Sequence, residues 1–232
     1  MKTFAFIFAR SGSKGLKKKN IKLLNNKPLI CYSIDSALEN SLISKIFIST
    51  DDKEIMTLAE TYKNDQIHII SRPPELATDT SAEYLSWKHA IEYLEKQKIK
   101  FDRFISLPAT SPFRNDIDIT NVLNKLTLST DFVVTMTEAN RSPYFNMVKS
   151  TNDYLSTVIK SDLTRRQDCP KVYDLTTVAY ASRPQAILKF NSVFEGRVKG
   201  VLIPKLRSLD IDDEIDFSFA EFILKEKLNA SK

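Results

Sequence analysis

Cysteine and histidine are scarce in this 232-residue sequence, with two of each. Cys31 and Cys169 lack metal-ligand spacing and predict no disulfide framework in a chain of this length. The apolar stretch at residues 3–9 stops at Arg10, so it is too short to span a membrane, and it has no plausible signal cleavage site. We therefore expect a cytoplasmic protein without membrane insertion, in which this stretch is a buried strand.

Common nucleotide-binding patterns are also missing. Neither the Walker motif nor the dinucleotide-binding fingerprint occurs, which argues against ordinary ATPases and dehydrogenases. The net charge is only +5, and much of the basic excess is concentrated in lysines near the N-terminus: Lys14, Lys17, Lys18, Lys19 and Lys22. A cluster this compact fits a polyanionic small molecule better than a nucleic acid, which usually needs a longer basic stripe. We therefore expect no nucleic-acid partner.

Strand-like and helix-like segments alternate along most of the chain, which predicts one α/β domain over residues 1–232 with a mostly parallel mixed sheet between helices. Strands are predicted at residues 3–9, 45–49, 66–70, 103–107, 132–137, 175–180 and 198–203. Helices are predicted at residues 28–39, 51–62, 82–98, 117–128 and 216–228, with another beginning at Pro184. Asp51 is predicted to cap the second helix, with Glu54 completing a capping box.

A segment at about residues 140–170 interrupts this alternation. Short strands are predicted at 144–147 and 154–159, around the turn-forming residues 150–153. A hairpin-like excursion of this kind commonly contacts a partner subunit or covers a site.

The first predicted strand ends at a glycine- and lysine-containing loop. Ligands of open α/β sheets lie at the carboxyl ends of strands, so this loop is placed to bind an anion. Gly12 and Gly15 permit tight backbone curvature. Arg10, Lys14 and Lys19 can neutralise a triphosphate and stabilise departing pyrophosphate. Lys17 and Lys18 fit a solvated surface better.

Asp210 and Asp212 are separated by one residue near the C-terminus. On an extended segment both side chains point to one side, where they can hold a hard cation such as Mg²⁺ together with phosphate oxygens. The alternative is helix capping, which we assign to Asp213 and Asp216.

The segment Ala-Arg-Ser-Gly-Ser-Lys-Gly-Leu at residues 9–16, with Lys19-Asn20 and Lys27-Pro-Leu downstream, resembles the N-terminal signature of the CMP-sialic acid synthetase (acylneuraminate cytidylyltransferase) family. Four later segments resemble family motifs in the same order: residues 72–79, 110–114, 165–168 and 208–212. The resemblance covers nearly the whole chain. It implies a Rossmann-like nucleotidyltransferase fold, usually a homodimer, with the 140–170 excursion contributing to the dimer.

The resemblance also implies a reaction, in which the anomeric hydroxyl of a nonulosonic (sialic-acid-like) sugar acid attacks the α-phosphorus of CTP and releases pyrophosphate. Arg10, Lys19 and Asp210 would be catalytic, and Mg²⁺ would bind Asp210 and Asp212. The nucleotide would contact Arg10, Ser11, Gly12, Ser13, Lys14, Gly15, Lys19, Asn20 and Arg72. The sugar acid would contact Thr110, Ser111, Arg166, Gln167, Asp174 and Thr176. The general base is either Asp210 or a hydroxide bound to the metal.

The sequence departs from the family pattern where the sugar is expected. Pro108-Ala109 replaces a usual Gln-Pro, and Thr176-Thr177 replaces a common Asn-Gly. These differences favour a related sugar acid over ordinary N-acetylneuraminic acid. Two alternatives stay open: a CMP-3-deoxy-octulosonate-type synthetase, and a nucleotide-binding or sensing homologue without turnover.

Overall fold

The computed structural model describes residues 1–12 and 15–230, and its main feature is a seven-stranded sheet. The strands of the chain are β1 (Thr3–Phe8), β2 (Leu23–Leu24), β3 (Lys27–Pro28), β4 (Lys45–Thr50), β5 (Ile67–Ser71), β6 (Arg103–Ser106), β7 (Phe132–Glu138), β8 (Val148–Thr151), β9 (Tyr154–Thr157), β10 (Tyr173–Ser182) and β11 (Val198–Leu202). The helices are α1 (Leu29–Glu39), α2 (Lys53–Glu60), α3 (Glu83–Lys96), α4 (Asp116–Lys125), α5 (Pro184–Lys189) and α6 (Glu214–Ala230).

The order of strands in the large sheet is β11-β7-β10-β6-β1-β4-β5. Neighbouring strands are parallel except where β10 pairs with β6 and with β7. The expected mostly parallel mixed sheet is therefore confirmed. Because β6, β1, β4 and β5 run in one direction, their carboxyl ends meet along a single edge, and the loops that follow them lie close together there.

Both faces of the sheet are covered by apolar packing. One face carries aliphatic side chains against α1, α2 and α4. The other is aromatic, and α3 covers it with the buried side chains of Trp87, Ile91 and Leu94. A third cluster joins Leu16 and Leu24 to Ile211 and to α6, so the end of the chain packs beside the first loop. This packing fixes the C-terminal carboxylates next to the N-terminal lysines.

The predicted cap of α2 is wrong by one residue. Asp52, not Asp51, precedes the helix, and its side chain accepts a hydrogen bond from the backbone N–H of Glu54. Asp51 turns instead toward the first loop, where it accepts hydrogen bonds from Ser11. A contact between residues so distant in the chain has no signature in the local sequence.

The excursion contains a two-stranded hairpin whose first strand lies later than predicted. Residues 144–147 form a turn, in which three successive amides donate to the carbonyl oxygen of Ser142. β8 and β9 follow as an antiparallel pair. They are joined by Asn152 and Asp153, which both have positive φ, 50° and 65°. Two left-handed residues match the twist of a tight hairpin, and the Asn-Asp pair tolerates that geometry.

No helix in the described part of the chain is long and apolar enough to cross a membrane.

Candidate active site

A cavity of about 430 Å³ opens at the edge where the carboxyl ends of the parallel strands meet. Its walls combine the first loop, the loop after β5, the start of α3, the turn after β6 and the segment before α6. The lining residues are Phe8, Arg10, Gly15, Lys19, Asn20, Arg72, Leu76, Ser81, Glu83, Ser86, Thr110 and Asp212. Five residues predicted to bind the nucleotide therefore share this cavity with one predicted sugar ligand, Thr110, and one predicted metal ligand, Asp212, although they are far apart in the sequence.

The first loop brings cationic side chains into this cavity. Lys19 is mostly buried, and its Nζ lies 3.0 Å from Oδ1 of the exposed Asp212. Arg10 Nη1 lies 2.5 Å from Asp79 Oδ1. The side-chain amide of Asn20 donates to the carbonyl oxygen of Arg10 at 3.1 Å, so Asn20 supports the backbone of the loop. These contacts hold Arg10 and Lys19, two of the three predicted triphosphate-binding cations, at the cavity wall.

Two further lysines of this region pair with carboxylates outside the cavity. Lys18 contacts Glu54 of α2, and Lys22 Nζ lies 2.5 Å from Glu214 Oε1 of α6. Lys17 is exposed. The surface position predicted for Lys17 and Lys18 agrees with this arrangement, while Ser13 and Lys14, predicted to bind the nucleotide, lie outside the described residues.

Gly15 marks the closest approach between the first loop and the segment before α6. A Cβ atom added at this residue would lie 2.3 Å from the carbonyl oxygen of Asp212, far inside a normal contact. At Gly12 an added Cβ would meet, among the described residues, only Arg10 Nη1, at an ordinary 3.5 Å. Residue 15 must therefore be glycine because the two backbone segments pack closely here.

Asp51 holds the loop from the opposite side. Its two carboxylate oxygens accept from the Ser11 backbone N–H at 2.9 Å and from Ser11 Oγ at 2.6 Å. Partial burial raises the pKa of Asp51, but the Ser11 hydrogen bonds and the charge of Arg72 outweigh it and hold the pKa below its ordinary value. Asp51 is therefore a charged anchor for the loop at neutral pH.

Replacing Asp51 with alanine should raise the KM for the nucleotide expected at this loop by about tenfold, because an unanchored loop must be ordered by the nucleotide itself. The Asp52→Ala variant is the matched control. It removes a helix cap, so it should lower the free energy of unfolding by about 1 kcal/mol without changing KM. Steady-state kinetics and urea denaturation of both variants separate the two roles. An unchanged KM in Asp51→Ala would contradict the anchoring role.

Asp210 is half-buried, and its Oδ1 is buried without a hydrogen-bond partner among the described residues. Desolvation raises the pKa of Asp210, and the charge of Asp212 raises it further. Polar interactions with the Thr110 and Thr177 side chains and the positive charge of Lys19 oppose this rise in pKa. A buried carboxylate oxygen without a donor is costly unless a cation or a proton satisfies it. Asp210 therefore has the environment of a cation ligand.

The backbone fixes where these carboxylates stand. The N–H of Ile211 donates to the carbonyl oxygen of Thr110 at 2.9 Å, which joins the segment to the turn after β6. The predicted capping roles are confirmed: Asp213 accepts from the amides of Ile215 and Asp216, and Asp216 accepts from those of Asp212 and Asp213. Asp210 and Asp212 remain for other chemistry.

The donor set fits Mg²⁺. The described residues contain no cluster of three or more His, Cys, Asp or Glu side chains that could enclose a metal ion. Mg²⁺ commonly binds one or two carboxylates and takes its other ligands from substrate phosphates and water. The orphaned oxygen of Asp210 and the exposed carboxylate of Asp212 match that pattern.

The residues predicted to bind the sugar acid are spread over several places. Thr110 lines the main cavity. Asp174 and Thr176 line a neighbouring cavity of about 500 Å³ whose wall also contains Asp210. Ser111 is fully buried, and its hydroxyl lies 2.7 Å from that of Thr177, so it secures the turn to β10.

Arg166 and Gln167 lie in a third cavity of about 290 Å³ on the excursion. There Arg166 Nη2 donates to the carbonyl oxygen of Asn140 at 2.7 Å. Within this chain the structure therefore does not place them with Asp174, Thr176 or Thr110.

Arg114 ends the turn after β6 and is buried. Its guanidinium donates to the carbonyl oxygens of Val178 and Pro108 and to Ser33 Oγ, at 2.6–2.7 Å. Burial lowers the pKa of Arg114 to about 9, so it remains protonated at neutral pH. The arginine of the Thr-Ser-Pro-Phe-Arg segment is thus an internal brace for the turn that carries Thr110.

Sequence reasoning missed several cavity residues, among them Phe8, Leu76, Ser81, Glu83 and Ser86. Glu83 is the first residue of α3, where an acidic residue usually indicates favourable interaction with the helix terminus. Only the fold shows that this terminus opens into the cavity.

The fold and the cavity together define a nucleotide-binding α/β protein with a cationic first loop and a two-carboxylate segment beside it. The sequence model of the family described as cytidylyltransferase matches residues 4–224. The chain belongs to this cytidylyltransferase family and is a nucleotidyltransferase.

Individual relatives agree with this membership. The chain is 33% identical over 223 residues to CMP-N,N′-diacetyllegionaminic acid synthase of Campylobacter jejuni, covering 95% of this chain and 94% of the relative. It is 31% identical over 236 residues to N-acylneuraminate cytidylyltransferase of Escherichia coli, covering all of this chain but only 54% of that longer relative. The predicted family resemblance is confirmed.

A solved structure of CMP:2-keto-3-deoxy-manno-octonic acid synthetase complexed with CTP superposes with a TM-score of 0.70 at 16% identity, covering 98% of this chain and 100% of the other. This likeness confirms the Rossmann-like nucleotidyltransferase fold.

Proposed function

We propose that this chain transfers CMP from CTP to the anomeric hydroxyl of a nonulosonic sugar acid and releases pyrophosphate. The observation that carries the proposal is the meeting of Lys19 and Asp212 in one cavity with Arg10 and Thr110. Relatives of similar sequence are named for N,N′-diacetyllegionaminic acid and for N-acylneuraminate, which supports this class of acceptor.

In this proposal the first loop binds the triphosphate. Arg10 and Lys19 neutralise the phosphates, exchanging their present carboxylate partners for phosphate oxygens. Asp210 and Asp212 hold Mg²⁺, which supplies charge neutralisation at the phosphate under attack. Positioning and electrostatics then account for most of the rate, as in phosphoryl transfer generally.

Asp210 also fits the role of general base. It lies in the wall of the cavity that contains Asp174 and Thr176, on the side where the sugar acid is proposed to bind. A carboxylate at this position can accept a proton from the attacking hydroxyl. The carboxylate of the sugar acid suits an arginine partner, and Arg166 remains our candidate for it.

We further propose a cytoplasmic homodimer. The excursion exposes a group of large apolar side chains: Phe145, Met147, Val148, Tyr154, Leu155, Val158 and Ile159. Exposed apolar groups of this size commonly mark a protein interface. Two free thiols suit a reducing compartment.

The test is pyrophosphate release from CTP and Mg²⁺ in the presence of a panel of sugar acids: N,N′-diacetyllegionaminic, N-acetylneuraminic, pseudaminic and 3-deoxy-octulosonic acids. We expect turnover with at least one nonulosonic acid. Arg10→Ala should lower the turnover rate at least about a hundredfold, because the positive charge that neutralises the triphosphate is lost. Lys17→Ala, an exposed lysine of the same loop, is the control and should behave like the wild type.

Turnover with 3-deoxy-octulosonic acid alone would contradict the proposed acceptor class. CTP binding without turnover across the panel would favour the sensing homologue. Equal activity of Arg10→Ala and Lys17→Ala would contradict the proposed phosphate site.

A further inference from the structure

Glu83 is a carboxylate in the wall of the main cavity that the proposed chemistry does not use. It is the first residue of α3, and both hydrogen bonds shown to its carboxylate end on Oε1: Trp87 Nε1 donates at 2.9 Å and Ser106 Oγ at 3.4 Å. The residue retains exposed surface, and because it lines the cavity this surface is available to a ligand there. One oxygen is thus fixed by the protein, and Oε2 is the atom left to meet a ligand.

The carboxylate of Glu83 is desolvated by its surroundings, which costs more free energy than an acidic residue at a helix start normally requires. Crowding by protein atoms desolvates the carboxylate and raises its pKa, while Trp87 and the charge of Arg72 oppose the shift. Trp87 is itself fixed by aromatic contacts with Phe104 and Tyr180. The carboxylate is therefore held in one orientation by a rigid part of the core.

Glu83 belongs to a different segment of the cavity wall from the first loop. Arg10, Gly15, Lys19 and Asp212 belong to the first loop and its partner segment. A second group of wall residues comes from the loop after β5 and the start of α3, together with Phe8, whose ring centroid lies 5.7 Å from the Arg72 guanidinium: Phe8, Arg72, Leu76, Ser81, Glu83 and Ser86. A nucleotide whose phosphates contact the first loop places its base toward this second group.

This second group has the composition of a base-binding pocket. Phe8 and Leu76 supply apolar surface for the faces of a ring. Arg72 is buried and donates to the carbonyl oxygen of Ser49 at 3.0 Å, which fixes its guanidinium beside the cavity. Ser81 also lines the cavity, and its buried hydroxyl has no hydrogen-bond partner among the described residues. An unpaired buried hydroxyl in a cavity wall indicates a missing polar ligand.

We propose that Glu83 determines the nucleobase, with Oε2 accepting a hydrogen bond from the exocyclic 4-amino group of cytosine. The inference rests on the proposed function, because it assumes a pyrimidine nucleotide in this cavity. Cytosine presents an amine donor beside two acceptors, N3 and O2, and the hydroxyl of Ser81 and the guanidinium of Arg72 are donors available for those. Carboxylates commonly recognise the 4-amino group of cytosine in this way.

The same carboxylate rejects uracil. In uracil an oxygen replaces the 4-amino group, so two acceptors would face each other and Glu83 would lose the hydrogen bond made to cytosine. Selectivity of this kind arises because a polar group built to pair with one ligand is left unpaired by another.

The test measures nucleotide binding by titration calorimetry with Mg²⁺ and without any sugar acid, so no turnover occurs. Wild-type protein should bind CTP at least about tenfold more tightly than UTP, and a CTP analogue lacking the 4-amino group should also bind at least about tenfold more weakly. In Glu83→Gln the ratio of CTP to UTP affinity should fall at least about tenfold, because the amide can donate to the uracil oxygen. Glu75→Gln, an exposed acid of the same segment, should keep the wild-type ratio.

Equal affinity of wild-type protein for CTP and for the analogue without the amino group overturns the inference, and this measurement needs no variant to fold. An unchanged ratio in a folded Glu83→Gln variant overturns it as well, and would indicate that the carboxylate serves only the helix terminus. Both results leave the proposed CMP transfer intact. Absence of CTP binding to the wild type would instead overturn the proposed function together with this inference.

Discussion

Asp210→Asn should lower CMP transfer by about a thousandfold without loss of the fold. The substitution keeps the shape of the side chain but removes the charge that, in the proposed site, holds Mg²⁺ against the phosphates. A thousandfold loss corresponds to about 4 kcal/mol of transition-state stabilisation, which is within the range expected for metal assistance. The concentration of Mg²⁺ that gives half-maximal activity should rise as well.

The thermal midpoint of the Asp210→Asn variant should not fall together with its activity. Because the folded-state pKa of Asp210 is raised, its charged form is less favourable in the folded protein than in the unfolded chain at neutral pH. Removing that charge should therefore leave the thermal midpoint unchanged or higher.

Asp213→Asn is the matched control for this experiment. It removes one charge three residues after Asp210, and asparagine still caps the helix, so activity should stay near the wild-type value. Turnover of Asp210→Asn within tenfold of the wild type would contradict the metal assignment.

Gly15→Ala should lower kcat/KM for CTP by about a hundredfold. The new methyl group would lie 2.3 Å from the carbonyl oxygen of Asp212, and both partners are backbone, so no flexible side chain can move aside. Either the first loop or the carboxylate segment must shift. A displacement of about 1 Å in groups that position a substrate can cost about two orders of magnitude.

Gly12→Ala changes the same residue type in the same loop with room for the methyl group, 3.5 Å from Arg10 Nη1. It should cost at most about fivefold. Kinetic measurement of the two variants, together with their thermal midpoints, distinguishes close packing from a general need for flexible glycine. Equal losses in both would refute the packing explanation.

The sequence predicted the position of the first loop at the strand edge correctly, because its motif is short and continuous. Arg10 to Asn20 follow a strand that is recognisable from its composition, and parallel strand ends bring such loops to one edge. The placement of Asp212 beside Lys19 also followed from a motif, although the two residues are 193 apart.

Contacts that depend on tertiary structure could not be predicted. Asp51 and Asp52 are adjacent and chemically identical, and only the position of Ser11 decides which one caps α2. Glu83 resembles any acidic residue at a helix start until the fold opens that terminus into the cavity. Arg166 belongs to a recognisable motif, yet its position depends on how the excursion packs. That packing is not encoded in the local sequence.

The attachment of the excursion has a consequence for how this protein can change. The excursion begins and ends on neighbouring antiparallel strands, where Tyr173 of β10 stands opposite Glu138 of β7 and the amide of Ala139 donates to the carbonyl oxygen of Val172. Its two ends are therefore already adjacent, so insertions and deletions between them need not displace a strand of the large sheet. The module carrying Arg166 is free to diverge in length while the nucleotide cavity stays constant. Acceptor choice can therefore evolve by exchange of one hairpin-bounded module.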